Sequence, residues 1–137
     1  MRASGPLVPV SIELPAKAKD IVRQSNQPVP SPIAVTGLID TGAGSTCVSQ
    51  KVCQHLNLRP QGAIRMLTAG HPVYVPVYTV HLSIATESGK LVMIDPLTVA
   101  APPLAGQANI DCLIGRNILA LAVFVYTGPT NWISLSV

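Results

Sequence analysis

From Leu7 to Leu14 apolar positions alternate along the chain, which puts Val8, Val10, Ile12 and Leu14 on one face. A period of two is that of a strand with one side buried, so the first strand is predicted here. The stretch from Ala16 to Ser31 loses this pattern, mixing charged and amide side chains before Pro28-Val29-Pro30-Ser31-Pro32. Prolines disfavour both helix interiors and central strands, and the segment reads as a mobile loop. Ile33 to Ile39 is almost wholly apolar, the pattern of a strand covered on both faces, and it ends in the carboxylate of Asp40. Ser49 stands where it can cap a short helix that carries Val52 and Leu56 on one side and ends near Asn57.

Further along, Arg65 to Ile84 predicts a long hairpin, two β-rich arms around Thr68-Ala69-Gly70-His71-Pro72, where glycine and proline supply the turn. Leu91 to Ala100 is a further strand, followed by the turn-rich Ala101-Pro102-Pro103-Leu104-Ala105-Gly106. Gly115 to Ala122 suits a short helix, and Val123 to Tyr126 with Trp132 to Val137 suits a final hairpin around Gly128-Pro129. Neither an internal repeat nor a low-complexity tract interrupts the order, and residues 1–137 read as one domain, a size that buries enough surface without staples.

Composition sharpens this picture. With 48% hydrophobic and 11% charged residues, 13 prolines and 10 glycines, the chain favours many short strands and tight turns, hence a mainly β fold. The net charge of +3 comes from scattered lysines and arginines without a basic stripe or stacking platform, which argues against a nucleic-acid partner. The uncharged run from Asn117 to Val137 is broken by Thr127-Gly128-Pro129-Thr130-Asn131, which argues against a membrane span, and the amino terminus lacks the apolar run of a secretory signal. Three cysteines, Cys47, Cys53 and Cys112, form no disulfide framework and suit buried thiols in a reducing, cytoplasmic setting.

The chemistry lies in Asp40-Thr41-Gly42, at the end of the apolar strand, with Gly42 and Gly44 where backbone approaches closely. Three residues alone are a weak signal, and a surface turn is the plain alternative. A second segment, Cys112-Leu113-Ile114-Gly115-Arg116-Asn117-Ile118-Leu119, adds two large apolar residues and a glycine that open a helix. Together these segments make the chain resemble the retropepsin-like aspartic proteases, the retroviral enzymes and their cellular and bacterial relatives.

That resemblance covers nearly the whole chain and implies a closed, mainly β acid-protease barrel with a flap hairpin and one short C-terminal helix. By the same resemblance the active form would be a homodimer that cleaves peptide or protein substrates as an endopeptidase. By resemblance Asp40 is catalytic, Thr41 locks the two active-site loops across the dimer, and Gly42 admits the backbone. Ala43, Leu67, Thr68, Ala69, Gly70, His71 and Ile118 would contact substrate, and Gly115, Arg116 and Asn117 would serve the dimer or the framework. Two positions depart from the viral pattern: Gly44 and Ser45 stand where viral members carry the acidic partner of the helix arginine, leaving Arg116 without one. The hairpin tip, Ala69-Gly70-His71, also lacks the viral run of glycines.

Elementary chemistry leads to the same demand. Hydrolysis of a peptide without metal or covalent intermediate needs one carboxylate to take a proton from water and a second acid to protonate the carbonyl oxygen. Asp20, Asp95 and Asp111 lack a following Thr-Gly, and Glu13 and Glu87 have no comparable setting, so a second copy of Asp40 must complete the pair. No cofactor and no metal is expected. Gly42-Ala43-Gly44 lacks the third glycine of a dinucleotide loop, and Cys47, Cys53 and His55 match no zinc spacing. Cys112, which could be a nucleophile beside His71 or His81, reads as an inert thiol in an apolar run, and Asp111 as a structural hydrogen-bonding residue. The alternative function, of another class, is a noncatalytic dimerisation or peptide-binding module that keeps the acid-protease fold.

Overall fold

The computed structural model of the chain describes residues 7–68, 70–85, 91–102, 109–121, 123–127 and 132–136, the last two stretches and Thr68 by their backbone. The amino-terminal alternation forms β1, Leu7–Glu13, with Val8, Val10 and Ile12 buried. It pairs antiparallel with β2, Ile33–Ile39, in the register Val10↔Val35. Only the end of β2 is closely packed: Gly37 and Ile39 are buried, whereas Ala34 is exposed. The expected burial on both faces is therefore corrected for its first half, where the small side chains of Ala34 and Thr36 line an open groove on the outside of the sheet.

Between these strands lies α1, Ala16–Gln24, where a mobile loop is expected from the sequence. Good helix formers fill it, and Ala18 and Val22, one turn apart, pack against the core. The carboxylate of Asp95 accepts the Ala16 N–H at 3.1 Å, satisfying one of the donors a helix start leaves open, and Lys19 pairs with Glu13. Asn26, with φ of 56°, ends the turn before the prolines begin. The charged residues form the solvent face of a helix whose apolar stripe is only two residues wide, too narrow to show as a period in the sequence.

The remaining elements are β3, Cys47–Val48; α2, Gln50–His55; β4, Gly62–Thr68; β5, His71–Ala85; β6, Leu91–Ala100; β7, Cys112–Ile114; α3, Arg116–Leu119; β8, Val123–Thr127; and β9, Trp132–Ser136. Strands β1, β2, β7, β3, β6 and β5 follow one another around a sheet that closes where β5 pairs with β1, making a six-stranded barrel. The inserted strand is β7, parallel to β2 and antiparallel to β3, so residues 112–114 run directly beside the strand that ends at Asp40. Ile12, Leu56, Leu82, Ile84, Ile114 and Ile118 are fully buried inside. Each such side chain contributes about 1.5–3 kcal/mol by leaving water. The fold is the closed, mainly β barrel of the acid proteases, with short α3 near the carboxyl end.

Strand β5 has two roles. Its second half, from Val77 on, joins the barrel through β6 and β1, while its first half pairs with β4 as the hairpin predicted around residues 68–72. Exposure changes accordingly, from His71 to Tyr74 open to solvent to Val80, Leu82 and Ile84 fully buried. Strands β8 and β9 form a separate antiparallel pair in the predicted place. Among the described residues no helix is long and apolar enough to cross a membrane.

Candidate active site

Asp40 leaves the barrel at the end of β2 with its backbone held on both sides. Its N–H donates to the Ile114 carbonyl at 2.9 Å, and its own carbonyl accepts the Ala43 N–H at 3.1 Å, closing a turn over Thr41 and Gly42. Within that turn the Gly42 N–H donates to Asp40 Oδ1 at 2.9 Å, which fixes the carboxylate's rotamer. Among the described residues no other group donates to the carboxylate, and Asp40 is half-buried. Thr41 and Gly42 are exposed beside it.

The loop is strapped to the second segment singled out in the sequence. The Arg116 N–H donates to the Ala43 carbonyl at 2.8 Å, and Arg116 Nη1 donates to the Thr41 carbonyl at 3.2 Å. Beneath, Thr46 Oγ1 accepts the Gly115 N–H at 3.1 Å and donates to Asn117 Oδ1 at 2.8 Å. Thr46 is wholly buried, and sequence reasoning passed it over. The available signal was a hydroxyl at the head of the short apolar run Cys47-Val48, since a polar group in such a place needs a partner. Ser49 stands at the start of α2 as expected, but its hydroxyl makes no cap; it donates to Asp111 Oδ1 at 3.0 Å, while Lys51 pairs with the same oxygen at 3.2 Å. Asp111 is thus engaged in the framework.

The structure does not gather all the residues that the resemblance assigns to substrate. Ala43 lies half-buried beside Asp40. Ile118 has no exposed surface and packs in the core, so it underlies the site and does not face it. On the hairpin, opposed residues share a face, and the pairs Met66↔Val73 and Ile64↔Val75 set one face apart from Leu67↔Pro72 and Arg65↔Tyr74. Met66 and Val75 pack with Cys47, Ala100 and Leu113 against the strands that carry the site. Leu67, 76% exposed, is on the opposite face with Tyr74. Inward-facing hairpin positions are therefore Ile64, Met66, Val73 and Val75, which only the strand register could identify. Gly70, at φ of 81°, makes the turn, His71 is exposed next to it, and Ala69 and the Thr68 side chain lie outside the described residues.

Burial raises the thiol pKa of Cys47, and the negative charge of Asp40 raises it further, which places this sulfur within electrostatic reach of the carboxylate. Burial pushes Cys53 up to about 11 and Cys112 up to about 12, so both are neutral, inert groups at physiological pH. Among the described residues no three His, Cys, Asp or Glu side chains come close enough to hold a metal ion.

Compared with known protein families, residues 31–118 match a family described as aspartyl protease. The match begins just before β2, includes the Asp40 loop and the hairpin, and ends on the helix that straps the loop. No curated protein matches the chain significantly.

Proposed function

Because the chain belongs to the retropepsin-like aspartyl protease family, we propose that it is the protomer of a homodimeric endopeptidase whose site joins two Asp40 carboxylates across a twofold axis. Aspartic peptide hydrolysis is the family's activity. The observation that carries the dimer is the state of Asp40 in one copy: oriented by Gly42, on an exposed loop, with no second carboxylate beside it among the described residues. Each protomer acts as one domain and brings one Asp-Thr-Gly, so the isologous arrangement of a C2 dimer supplies what the chemistry lacks.

Two carboxylates in contact cannot both ionise readily, and the pair retains one proton. The ionised member takes a proton from a water held between them, and that water attacks the carbonyl carbon. The protonated member gives its proton to the carbonyl oxygen, forming a neutral tetrahedral adduct. The newly protonated member then gives its proton to the amide nitrogen, the carbon–nitrogen bond breaks, and a hydroxyl proton of the adduct passes to the other carboxylate, which releases the acid and the amine and restores the singly protonated pair. The Thr41 hydroxyls tie the two loops together across the axis, Gly115, Arg116 and Asn117 hold each loop from behind, and the β4–β5 hairpin closes over substrate through its inward face. The three unpaired thiols support a reducing, cytoplasmic setting.

Cleavage of an unbiased peptide library, followed together with sedimentation over a range of protein concentrations, tests this reading. Activity that rises with the dimer fraction is expected. A fully active monomer at every concentration would refute it.

A further inference from the structure

The Arg116 side chain is exposed and, among the described residues, is anchored at one point, with Nη1 on the Thr41 carbonyl. A guanidinium carries five N–H donors, and the rest of this one meets no carboxylate among the described residues. The other described acids outside the catalytic loop are engaged elsewhere: Glu13 with Lys19, Asp20 with Arg23, Asp95 with His81 and Asp111 with Lys51. Beside the guanidinium is Gly44, whose added Cβ would sit 3.4 Å from Arg116 Nη2, so the position that could supply an acid in the same chain has no side chain at all. The result is a directed cation bound to the residue next to Asp40. Its anchor Thr41 is one residue from Asp40, which puts the guanidinium on the order of 10 Å from the Asp40 carboxylate. An extended peptide covers that distance in about three residues.

We infer that Arg116 is a specificity-determining residue that selects peptides carrying an aspartate or glutamate two or three residues from the scissile bond. This rests on the dimeric protease reading above and names the substrate class of that same site. Engagement of the other described carboxylates within their own chain favours substrate over a second copy as the source of the acid. The planar fork matches a carboxylate in a bidentate pair, and one N–H already fixed on Thr41 lowers the entropy lost on binding.

The test compares matched peptides with Glu or Gln at each position flanking the cleaved bond. The intact protein should cleave the best Glu peptide with kcat/KM about fivefold above its Gln twin, mainly through KM, and the ratio should fall toward one as salt rises. Gly44→Asp supplies the missing carboxylate within the chain and should abolish the preference while the Gln peptide is still cut. Arg116→Lys should keep part of the preference and Arg116→Gln none. Binding to the inactive Asp40→Asn protein gives a second readout, with the Glu peptide bound about fivefold more tightly. Cleavage without any Glu over Gln preference, or a preference that survives Gly44→Asp and Arg116→Gln, overturns this inference alone. Failure to cleave any peptide at any protein concentration overturns the dimeric protease reading and this inference with it.

Discussion

Gly115 passes so close under Ser45 that a Cβ on it would lie 2.5 Å from the Ser45 carbonyl carbon and 2.6 Å from its oxygen. Backbone cannot yield as the tip of a flexible side chain can. Gly115→Ala should therefore push the catalytic loop away from α3 and destabilise the fold by about 1–3 kcal/mol, the usual cost of forced overpacking. Denaturant unfolding checks this; an unchanged midpoint would show that the loop has slack that the packing does not reveal.

Thr46 offers a finer probe of the same contact. Thr46→Val keeps shape but leaves the Gly115 N–H and Asn117 Oδ1 without their partner, at a cost of about 1–3 kcal/mol. Thr46→Ser keeps the hydroxyl and should recover most of that loss. Equal stability of the Val and Ser variants would mean that the hydroxyl bridge is not what holds the loop.

Asp40→Asn should abolish peptide cleavage with the fold intact, because one substitution removes both carboxylates of a symmetric pair. Asparagine also removes the negative charge that the pair holds at the axis, so the dimer should dissociate no more readily than the parent. Thr41→Ala should instead weaken the dimer by removing a hydroxyl from the loop junction. Cleavage rate and dissociation constant are measured for both variants, and turnover by Asp40→Asn at the parent rate would remove the residue from the mechanism.

Ala43 lacks the hydroxyl that a serine at this position could offer to an ionised carboxylate. The pH–rate profile is expected to peak at mildly acidic pH and to fall toward neutrality as the pair loses its shared proton. Ala43→Ser should move the profile to lower pH. A rate that still climbs above neutrality in the parent would contradict this account.

The buried thiols set an alkaline limit on stability. Cys53 and Cys112 are raised from 9.0 to about 11 and about 12 in the folded chain, so above pH 9 the unfolded chain releases these protons while the folded chain keeps them. With fewer protons bound in the unfolded state, stability is full below about pH 9 and declines as pH rises through the folded values. Cys53→Ala should flatten part of that decline, at the cost of a small cavity. Unfolding midpoints at pH 7, 9 and 10.5 follow it; a flat profile in the parent would mean that these thiols do not couple to folding.

Much of the site was legible because its chemistry is local in sequence. Asp40-Thr41-Gly42 at the end of an apolar strand, Leu113-Ile114-Gly115-Arg116-Asn117, and a hairpin turning at Gly70 are patterns set by strand periodicity and turn geometry, each within a few residues. The helix Ala16–Gln24 was lost because two packing residues among charged neighbours make too narrow a stripe to outweigh the prolines that follow.

What the sequence by itself determined is which residues form strands and turns and which carboxylate stands ready at a strand end, since alternation and turn chemistry act on neighbours. Only the tertiary structure decided that β7 lies between β2 and β3, that Thr46 bridges Gly115 and Asn117, and that Met66 faces inward while Leu67 faces out. Those outcomes depend on pairing between segments some seventy residues apart and on a register in which a one-residue slip exchanges the two faces of a strand. A hydrophobic pattern tells a strand that it must bury one side, but its partner strand decides which side that is.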